Sequence, residues 1–154
     1  MERVYCYFKL FIAGIGAFLS AKLGLLYIVL PFLIVAMVVD YLTGRAASKK
    51  EGTINSKVGA WGIFKKLMYG VEVLVGIIVD WLIINVTTAI GINMPTVTFF
   101  GLLVAIWLII NELTSILENL VRLEVPMPPF LVKIVSNFKV AVEKSGDSLA
   151  EKSE

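Results

Sequence analysis

Residues 40–66 read DYLTGRAASKKEGTINSKVGAWGIFKK, and this stretch decides the topology of the chain. It separates two strongly apolar segments. From residue 44 to residue 66 its one acid, Glu51, is outnumbered by six cations, which are Arg45, Lys49, Lys50, Lys57, Lys65 and Lys66. Short loops rich in lysine and arginine stay on the cytoplasmic side of a membrane. The sequence therefore predicts a basic, turn-rich cytoplasmic loop over residues 44–64, bordered by membrane helices.

The composition indicates an integral membrane protein. The 154 residues are 58% hydrophobic and only 17% charged, and the mean hydropathy is +0.89. An ordinary soluble domain is about 45–50% apolar and about 25% charged. The apolar residues lie in long runs, as membrane spans require. The net charge of +2 is too small to indicate nucleic-acid binding. The basic residues in loops are instead expected to orient the helices and to contact lipid headgroups.

We predict an all-α integral membrane protein with three to four transmembrane helices, and we favour four. The expected spans are residues 4–21, 23–43, 65–86 and 96–119, within a transmembrane domain of residues 1–124. Whether the first segment crosses the membrane stays open, because its 18 residues extend about 27 Å, just short of a hydrocarbon core of about 30 Å. Four spans place both termini in the cytoplasm, in agreement with the positive charge near the N-terminus.

Polar residues share a helix face in the third and fourth segments. An acid at membrane depth costs roughly 2.5–3.5 kcal/mol, so these faces should turn towards protein or water. Two interpretations stay open: Glu72 pairs with a lysine while Asp80 lies near the outer interface, or the acids form the wet lining of an assembled pore. The candidate pore-lining or intramembrane polar residues are Asp40, Glu72, Asp80, Glu112, Ser115 and Asn119.

Small residues recur at helical spacing and predict close helix packing inside lipid. They are Ala13, Gly16, Ala17, Ser20 and Ala21 in the first segment, and Gly76, Gly101 and Ala105 in the later ones. Because most of them lie on one face of their helix, we expect that face to contact another helix, including helices of further copies of the chain.

The C-terminal region begins with residues 125–129, VPMPP, which should end the last span. Residues 130–144 carry apolar side chains on one stripe and lysines largely off it. This pattern predicts an amphipathic helix that lies in the membrane interface or against a partner subunit. We therefore assign residues 125–144 to a proline turn and amphipathic helix. Residues 145–154 are small and polar and are expected to form a disordered tail.

No catalytic constellation is visible in the sequence. The chain has no histidine, which removes the commonest general base and the commonest metal ligand. It also lacks a CxxC pair, a P-loop and a dinucleotide-binding glycine motif. The lone Cys6 excludes an internal disulfide. We therefore expect no enzymatic activity, no cofactor and no metal, although four acids in the spans would be available to a cation.

Two stretches resemble a known family. Asp40-Tyr41-Leu42-Thr43-Gly44, followed by residues 56–66, SKVGAWGIFKK, is similar to the phage holins of clostridia and relatives, a family that includes the holin-like protein of the clostridial toxin locus. The run Asn111-Glu112-Leu113-Thr114-Ser115-Ile116-Leu117-Glu118-Asn119 and the exit Pro126-Met127-Pro128 resemble the last helix of that family. The resemblance covers roughly residues 10–140. The chain departs from the family pattern at Glu124, where the resemblance implies a glycine.

The resemblance implies a small protein of the bacterial cytoplasmic membrane that forms homo-oligomers and opens lesions at a timed moment. Endolysin would leave through these lesions and lyse the host. One alternative is release of a toxin or bacteriocin without lysis. Another is a non-lytic scaffold that anchors a cytoplasmic partner through residues 44–64 and the C-terminal helix. The expected partners are further copies of the chain, membrane lipids, and a functionally coupled endolysin or exported toxin.

Overall fold

The structure is a computed structural model that describes residues 2–92 and 98–151. Within these ranges the chain forms five α-helices and no β-strand. The helices are α1 (Glu2–Leu23), α2 (Leu26–Lys50), α3 (Ser56–Ala89), α4 (Phe99–Arg122) and α5 (Pro129–Glu151). The predicted all-α fold is confirmed. Residues 96–97 of the fourth predicted span and residues 152–154 of the predicted tail lie outside the described ranges.

Three helices of the described ranges, α2, α3 and α4, are long and apolar enough to cross a membrane. Their outward surfaces carry large apolar side chains such as Phe32, Ile34 and Trp81, which are more than half exposed in the single chain and suit contact with lipid. The apolar part of α1 is shorter and runs over Val4–Gly14. The structure thus supports three spans by length and composition, and a fourth span by α1 stays a prediction.

The central helix of the bundle is α4, which packs against α2, α3 and α5, whereas α1 contacts α2. Contacts near both ends of α4 show that α2 runs parallel to it and α3 antiparallel to it. The buried core between the helices is apolar and consists of Leu26, Leu33, Val73, Ala105 and Leu108. The hydroxyl of Thr98 donates to the carbonyl oxygen of Leu23 at 2.8 Å and so joins the start of α4 to the end of α1.

The connection between α2 and α3 is shorter than the loop predicted over residues 44–64. Helix α2 continues to Lys50 and α3 begins at Ser56, which leaves only residues 51–55 between them. Asn55 caps α3, because its side-chain oxygen accepts from the backbone N–H of Lys57 at 3.0 Å. Three glycines of the predicted loop lie inside the two helices, namely Gly44, Gly59 and Gly62.

The turn between α4 and α5 reverses the direction of the chain. Glu124 occupies the left-handed region with φ 61°, the conformation in which glycine is favoured. This is the position where the family resemblance implies a glycine. Helix α5 then continues to Glu151 and includes residues 145–151, where the sequence analysis expects a disordered tail. The Ser145 hydroxyl donates to the Ala141 carbonyl oxygen at 2.9 Å, inside this extension of the helix.

Candidate functional site

A buried ion cluster joins the three long helices. The ammonium group of Lys66 on α3 lies 2.9 Å from Oδ2 of Asp40 on α2, and it also donates to Oε2 of Glu112 on α4. The side chains are 15%, 14% and 3% exposed, respectively. A charge buried without a partner would cost several kcal/mol, so the three groups depend on one another. The cluster therefore fixes the mutual position of α2, α3 and α4.

Asn119 extends this cluster along α4. Its amide nitrogen donates to Oδ1 of Asp40 at 2.9 Å and to the Thr43 hydroxyl at 3.3 Å. Gly44 makes room for that amide, because a Cβ at Gly44 would lie 3.3 Å from the Asn119 nitrogen. On its other side the Asn119 oxygen accepts from Nη1 of Arg122 at 3.1 Å. Both ends of the buried amide are thus satisfied by the protein.

A second group of ion pairs closes the same end of the bundle. Arg122 contacts the carboxylate of Glu51 through two nitrogens, at 2.9 Å and 2.7 Å, and Lys50 lies 2.9 Å from Glu124. The hydrogen bond from Arg122 lowers the pKa of Glu51 below its ordinary value. These pairs hold the α2–α3 turn against the end of α4.

A polar cavity of about 280 Å³ lies between this turn and the ion cluster. Lys66, Asp40 and Asn119 line its inner side, and the hydroxyls of Ser48, Thr53 and Ser115 are among its other walls. Ser115 is half-buried there. The cavity therefore connects the buried cluster with the basic end of the bundle.

Asp80 is buried at the opposite end of the bundle, where it is 4% exposed. Its two oxygens accept from two backbone N–H groups in the first turn of α4, those of Phe100 at 2.9 Å and Gly101 at 2.8 Å. These donors have no partner inside their own helix, and a negative charge near a helix N-terminus is favourable. A side chain of α3 therefore caps α4.

The same region holds the closest approach of two helices. A Cβ at Gly76 on α3 would lie only 2.8 Å from Cα of Gly101 on α4. Ala105, one turn further along α4, is completely buried. The small residues at these positions allow the two backbones to touch, and this contact places Asp80 over the start of α4.

Glu72 lies apart from both polar sites. It is exposed and lines a groove of about 480 Å³ between α3, α4 and α5, together with Trp107, Glu143 and Asp147. The indole nitrogen of Trp107 donates to Oε1 of Glu143 at 3.4 Å. This groove holds acids from a spanning helix and from the C-terminal helix.

The structure brings together only some of the residues that the sequence singled out. Asp40, Glu112 and Asn119 meet in one cluster, Ser115 borders its cavity, and Asp80 and Glu72 lie elsewhere. The partner that the sequence analysis did not assign is Lys66, which was grouped with the cations of the basic loop. The available signal was the spacing, because Asp40 and Lys66 lie at similar distances on either side of the residue 51–55 turn.

The remaining cations and small residues lie at the surface of the chain. Arg45 donates to the Tyr41 hydroxyl at 3.1 Å, and the exposed lysines at this end are Lys49, Lys50, Lys57 and Lys65. On α1, Gly16 approaches the Tyr27 hydroxyl, whereas the other small residues are exposed, namely Ala13, Ala17, Ser20 and Ala21. Most of the small-residue stripe of α1 is therefore uncovered in the single chain.

No group of three His, Cys, Asp or Glu side chains within residues 2–92 and 98–151 is arranged to hold a metal ion. The buried carboxylates described above contact ammonium, amide and backbone N–H donors instead. The geometry of these sites is that of helix-to-helix connections. It defines a small helical membrane protein with several candidate spans and with charges paired inside the bundle.

Comparison with known proteins identifies the family. The sequence matches the Bacteriophage holin family over residues 17–140, and the chain belongs to this family. Holins are non-enzymatic membrane proteins. Three of the four motif pieces quoted above meet in the ion cluster, because they supply Asp40 and Gly44, Lys66, and Glu112 and Asn119.

Several bacterial proteins are similar to this chain over most of their length. An uncharacterized protein of Halalkalibacterium halodurans is 35% identical over 128 residues, which are 80% of this chain and 90% of that protein. A 14.9 kDa protein of the nagH 3' region of Clostridium perfringens is also 35% identical, over 83% of this chain and 89% of its own. A Listeria innocua protein is 32% identical over 90% of this chain and 89% of its own. No solved structure matches the chain.

Proposed function

We propose that this protein is a holin that oligomerises in the bacterial cytoplasmic membrane and permeabilises it, so that endolysin reaches the cell wall and the host lyses. The observation that carries the proposal is the family match over residues 17–140 of a chain with three membrane-length helices. Because Lys66 pairs with Asp40 and Glu112 inside one chain, these buried charges need no second copy of the chain to be neutralised.

The basic end of the bundle supports a proposed orientation. The ion pairs of Glu51 with Arg122 and of Lys50 with Glu124 hold the α2–α3 turn and the end of α4 together at one end of the bundle. This end also carries the exposed lysines, which favours the cytoplasm. A spanning α1 puts the N-terminus there, and α5 begins there. In the structure α5 runs back along α4, so a cytoplasmic C-terminus would require α5 to leave α4 and lie along the membrane surface.

The test is timed induction in bacteria with a potential-sensitive dye, alone and together with a cytoplasmic muralytic enzyme. We expect an abrupt loss of membrane potential after a delay, and rapid lysis when the enzyme is present. Steady growth with the full-length protein in the membrane would contradict the proposal. A matched control is a chain shortened after α3, which lacks Glu112 and the groove of α4.

The same experiment separates the alternatives. A release protein for a toxin or bacteriocin would let its passenger leave the cell without prompt lysis. A membrane scaffold would retain one soluble partner in stoichiometric amount and leave the potential intact. In either case the muralytic enzyme would stay inside the cell, and this outcome distinguishes both alternatives from a lytic holin.

A further inference from the structure

Helix α5 returns beside α4 and does not project away from the bundle. It begins at Pro129, after the turn at Glu124 and residues 125–128, and its Glu143 accepts from the indole nitrogen of Trp107. Trp107 precedes Arg122 by fifteen residues, which corresponds to about 22 Å along α4. The two helices are thus antiparallel over much of their length.

This contact places charged groups of α5 at membrane depth. Trp107 lies about 7.5 Å along α4 from Glu112 and about 9 Å from Gly101, between the two polar sites of the bundle. Glu72 likewise lies along α3 between Lys66 and Asp80, at about 9 Å and about 12 Å. Glu143 and Glu72 therefore lie between the two polar sites, beside the apolar parts of α3 and α4.

The outward face of α5 is mostly polar. The face towards α4 carries the half-buried Val135, Lys139, Val142 and Gly146. The opposite face carries Lys133, Asn137 and Lys144 together with Val140, which share one side by their spacing and are all exposed, and Lys144 lies beside Glu143. Each charge near the bilayer centre costs roughly 2.5–3.5 kcal/mol against lipid. A docked α5 therefore requires water along its outward face.

We infer that the docked α5 lines the water-filled passage of the assembled protein, an inference that rests on the permeabilising function proposed above. The passage side consists of the outward face of α5 and the edge of the neighbouring groove that carries Glu72, Glu143 and Asp147, whereas the inner walls of that groove are apolar. Lipid covers the apolar outer surfaces of α2 and α3. In this assembled state the C-terminal end of α5 approaches the outer side, in contrast to an α5 that lies along the cytoplasmic surface.

The test uses purified full-length protein in dye-loaded vesicles of phosphatidylglycerol and phosphatidylethanolamine. In a Cys6→Ser background, Lys144→Cys reports on the outward face of α5. Ile34→Cys is the matched control, because Ile34 is 61% exposed on α2 and lies about 9 Å from Asp40, at similar depth. In vesicles that release dye, we expect Lys144→Cys to react with a sulfonated thiosulfonate reagent at least about 100-fold faster than Ile34→Cys, since the reactive thiolate forms in water.

A second variant tests whether α5 stays docked. Val104→Cys with Val142→Cys, in the same background, places one thiol on each side of the α4–α5 contact, where both residues border the groove. A short bifunctional maleimide should join them, and the joined protein should release dye as the unjoined protein of the same variant does. Absence of the cross-link, or release that stops when it forms, would overturn the inference.

The readouts distinguish the two proposals. If the Cys6→Ser protein leaves the vesicles sealed at every dose, the permeabilising function itself is contradicted. If it releases dye but Lys144→Cys reacts as slowly as Ile34→Cys, only the lining by α5 is contradicted. If Lys144→Cys reacts rapidly but the cross-link does not form, α5 lies at the membrane surface and the inference is also overturned.

Discussion

At the scale of single residues, Lys66 is the side chain on which most of the polar interior depends. Its ammonium group pairs with two carboxylates from two different helices, and both carboxylates are largely inaccessible to solvent. Removing one partner of such a group leaves uncompensated charge in a poorly solvated place, which is far more costly than the loss of an exposed pair.

We predict that Lys66→Met destabilises the protein by about 3–5 kcal/mol, because Asp40 and Glu112 lose their common cation. Lys65→Met is the matched control, since Lys65 is exposed, and its effect should stay within about 0.5 kcal/mol. The measurement is thermal unfolding of the purified proteins in the same detergent. Equal midpoints for the two variants would show that the cluster contributes little to the stability of the fold.

Gly76 provides a second test at this scale. A Cβ there would lie 2.8 Å from the backbone of Gly101, so Gly76→Ala must push α3 and α4 apart. We expect the free energy of unfolding, measured by thermal unfolding, to fall by about 1–3 kcal/mol. In Gly70→Ala, also on α3, the new methyl group meets nothing within 4 Å. This control should be neutral or stabilising by up to about 1 kcal/mol, and a comparable loss there would refute the packing argument.

At the scale of the elements, the sequence predicts the helices well but not their ends. The apolar runs of α2, α3 and α4 are long enough to identify from hydropathy alone. The turn-rich loop predicted over residues 44–64 is too long, because α2 and α3 extend into it. Gly44 lies inside α2 and makes room for Asn119, a tertiary contact that no local pattern contains. Residues 145–151 are helical, whereas their small, polar composition predicts a disordered tail.

The polar sites, too, are predicted only in part from the sequence. The sequence marks Asp40, Glu112 and Asn119 as unusual, because polar groups in apolar segments are costly. It does not show that they meet each other, since this depends on how α2, α3 and α4 are arranged around the axis of the bundle. Asp80 caps a helix that begins some twenty residues later in the chain, and periodicity within α3 cannot indicate that pairing.

The turn between α4 and α5 carries a prediction of its own. Glu124 has a positive φ, which costs a residue with a side chain roughly 1–2 kcal/mol. Glu124→Gly should remove this cost and stabilise the protein by up to about 1 kcal/mol after the greater freedom of the unfolded glycine is counted. The exposed pair with Lys50 adds little, about 0–1 kcal/mol.

The control for this variant is Glu118→Gly in the exposed part of α4, which should destabilise by about 1 kcal/mol because glycine is unfavourable inside a helix. The free energy of unfolding of both variants is measured by chemical or thermal unfolding in detergent. Opposite signs for the two glycine variants are the expected result. Destabilisation by both would mean that the left-handed conformation of Glu124 is not a source of strain.

At the scale of the whole molecule, assembly should depend on α1. Its small residues are largely uncovered in the chain, and such a stripe suits close contact between helices in lipid. We predict that Ala17→Phe reduces the higher oligomers recovered by chemical cross-linking in membranes and delays the loss of membrane potential. Unfolding of the monomer should not change, since Ala17 is exposed.

The matched control is Ile12→Phe, which changes an apolar residue of α1 that is 52% exposed. It should leave both the oligomers and the timing unchanged. If Ala17→Phe also leaves the cross-linked species unaltered, the copies associate through other surfaces. The next region to substitute is then the apolar groove between α2 and α4, near Phe32 and Ile109.

Lys66 of α3 pairs with carboxylates of both α2 and α4, and this arrangement has a consequence for biogenesis. Asp40 is synthesised first, Lys66 next and Glu112 last, so the ammonium group has only one of its carboxylates until α4 leaves the ribosome. A helix released singly into the bilayer would carry its charge there alone. We therefore expect α2 and α3 to remain at the insertion machinery until α4 arrives, and the three to enter the lipid as one unit.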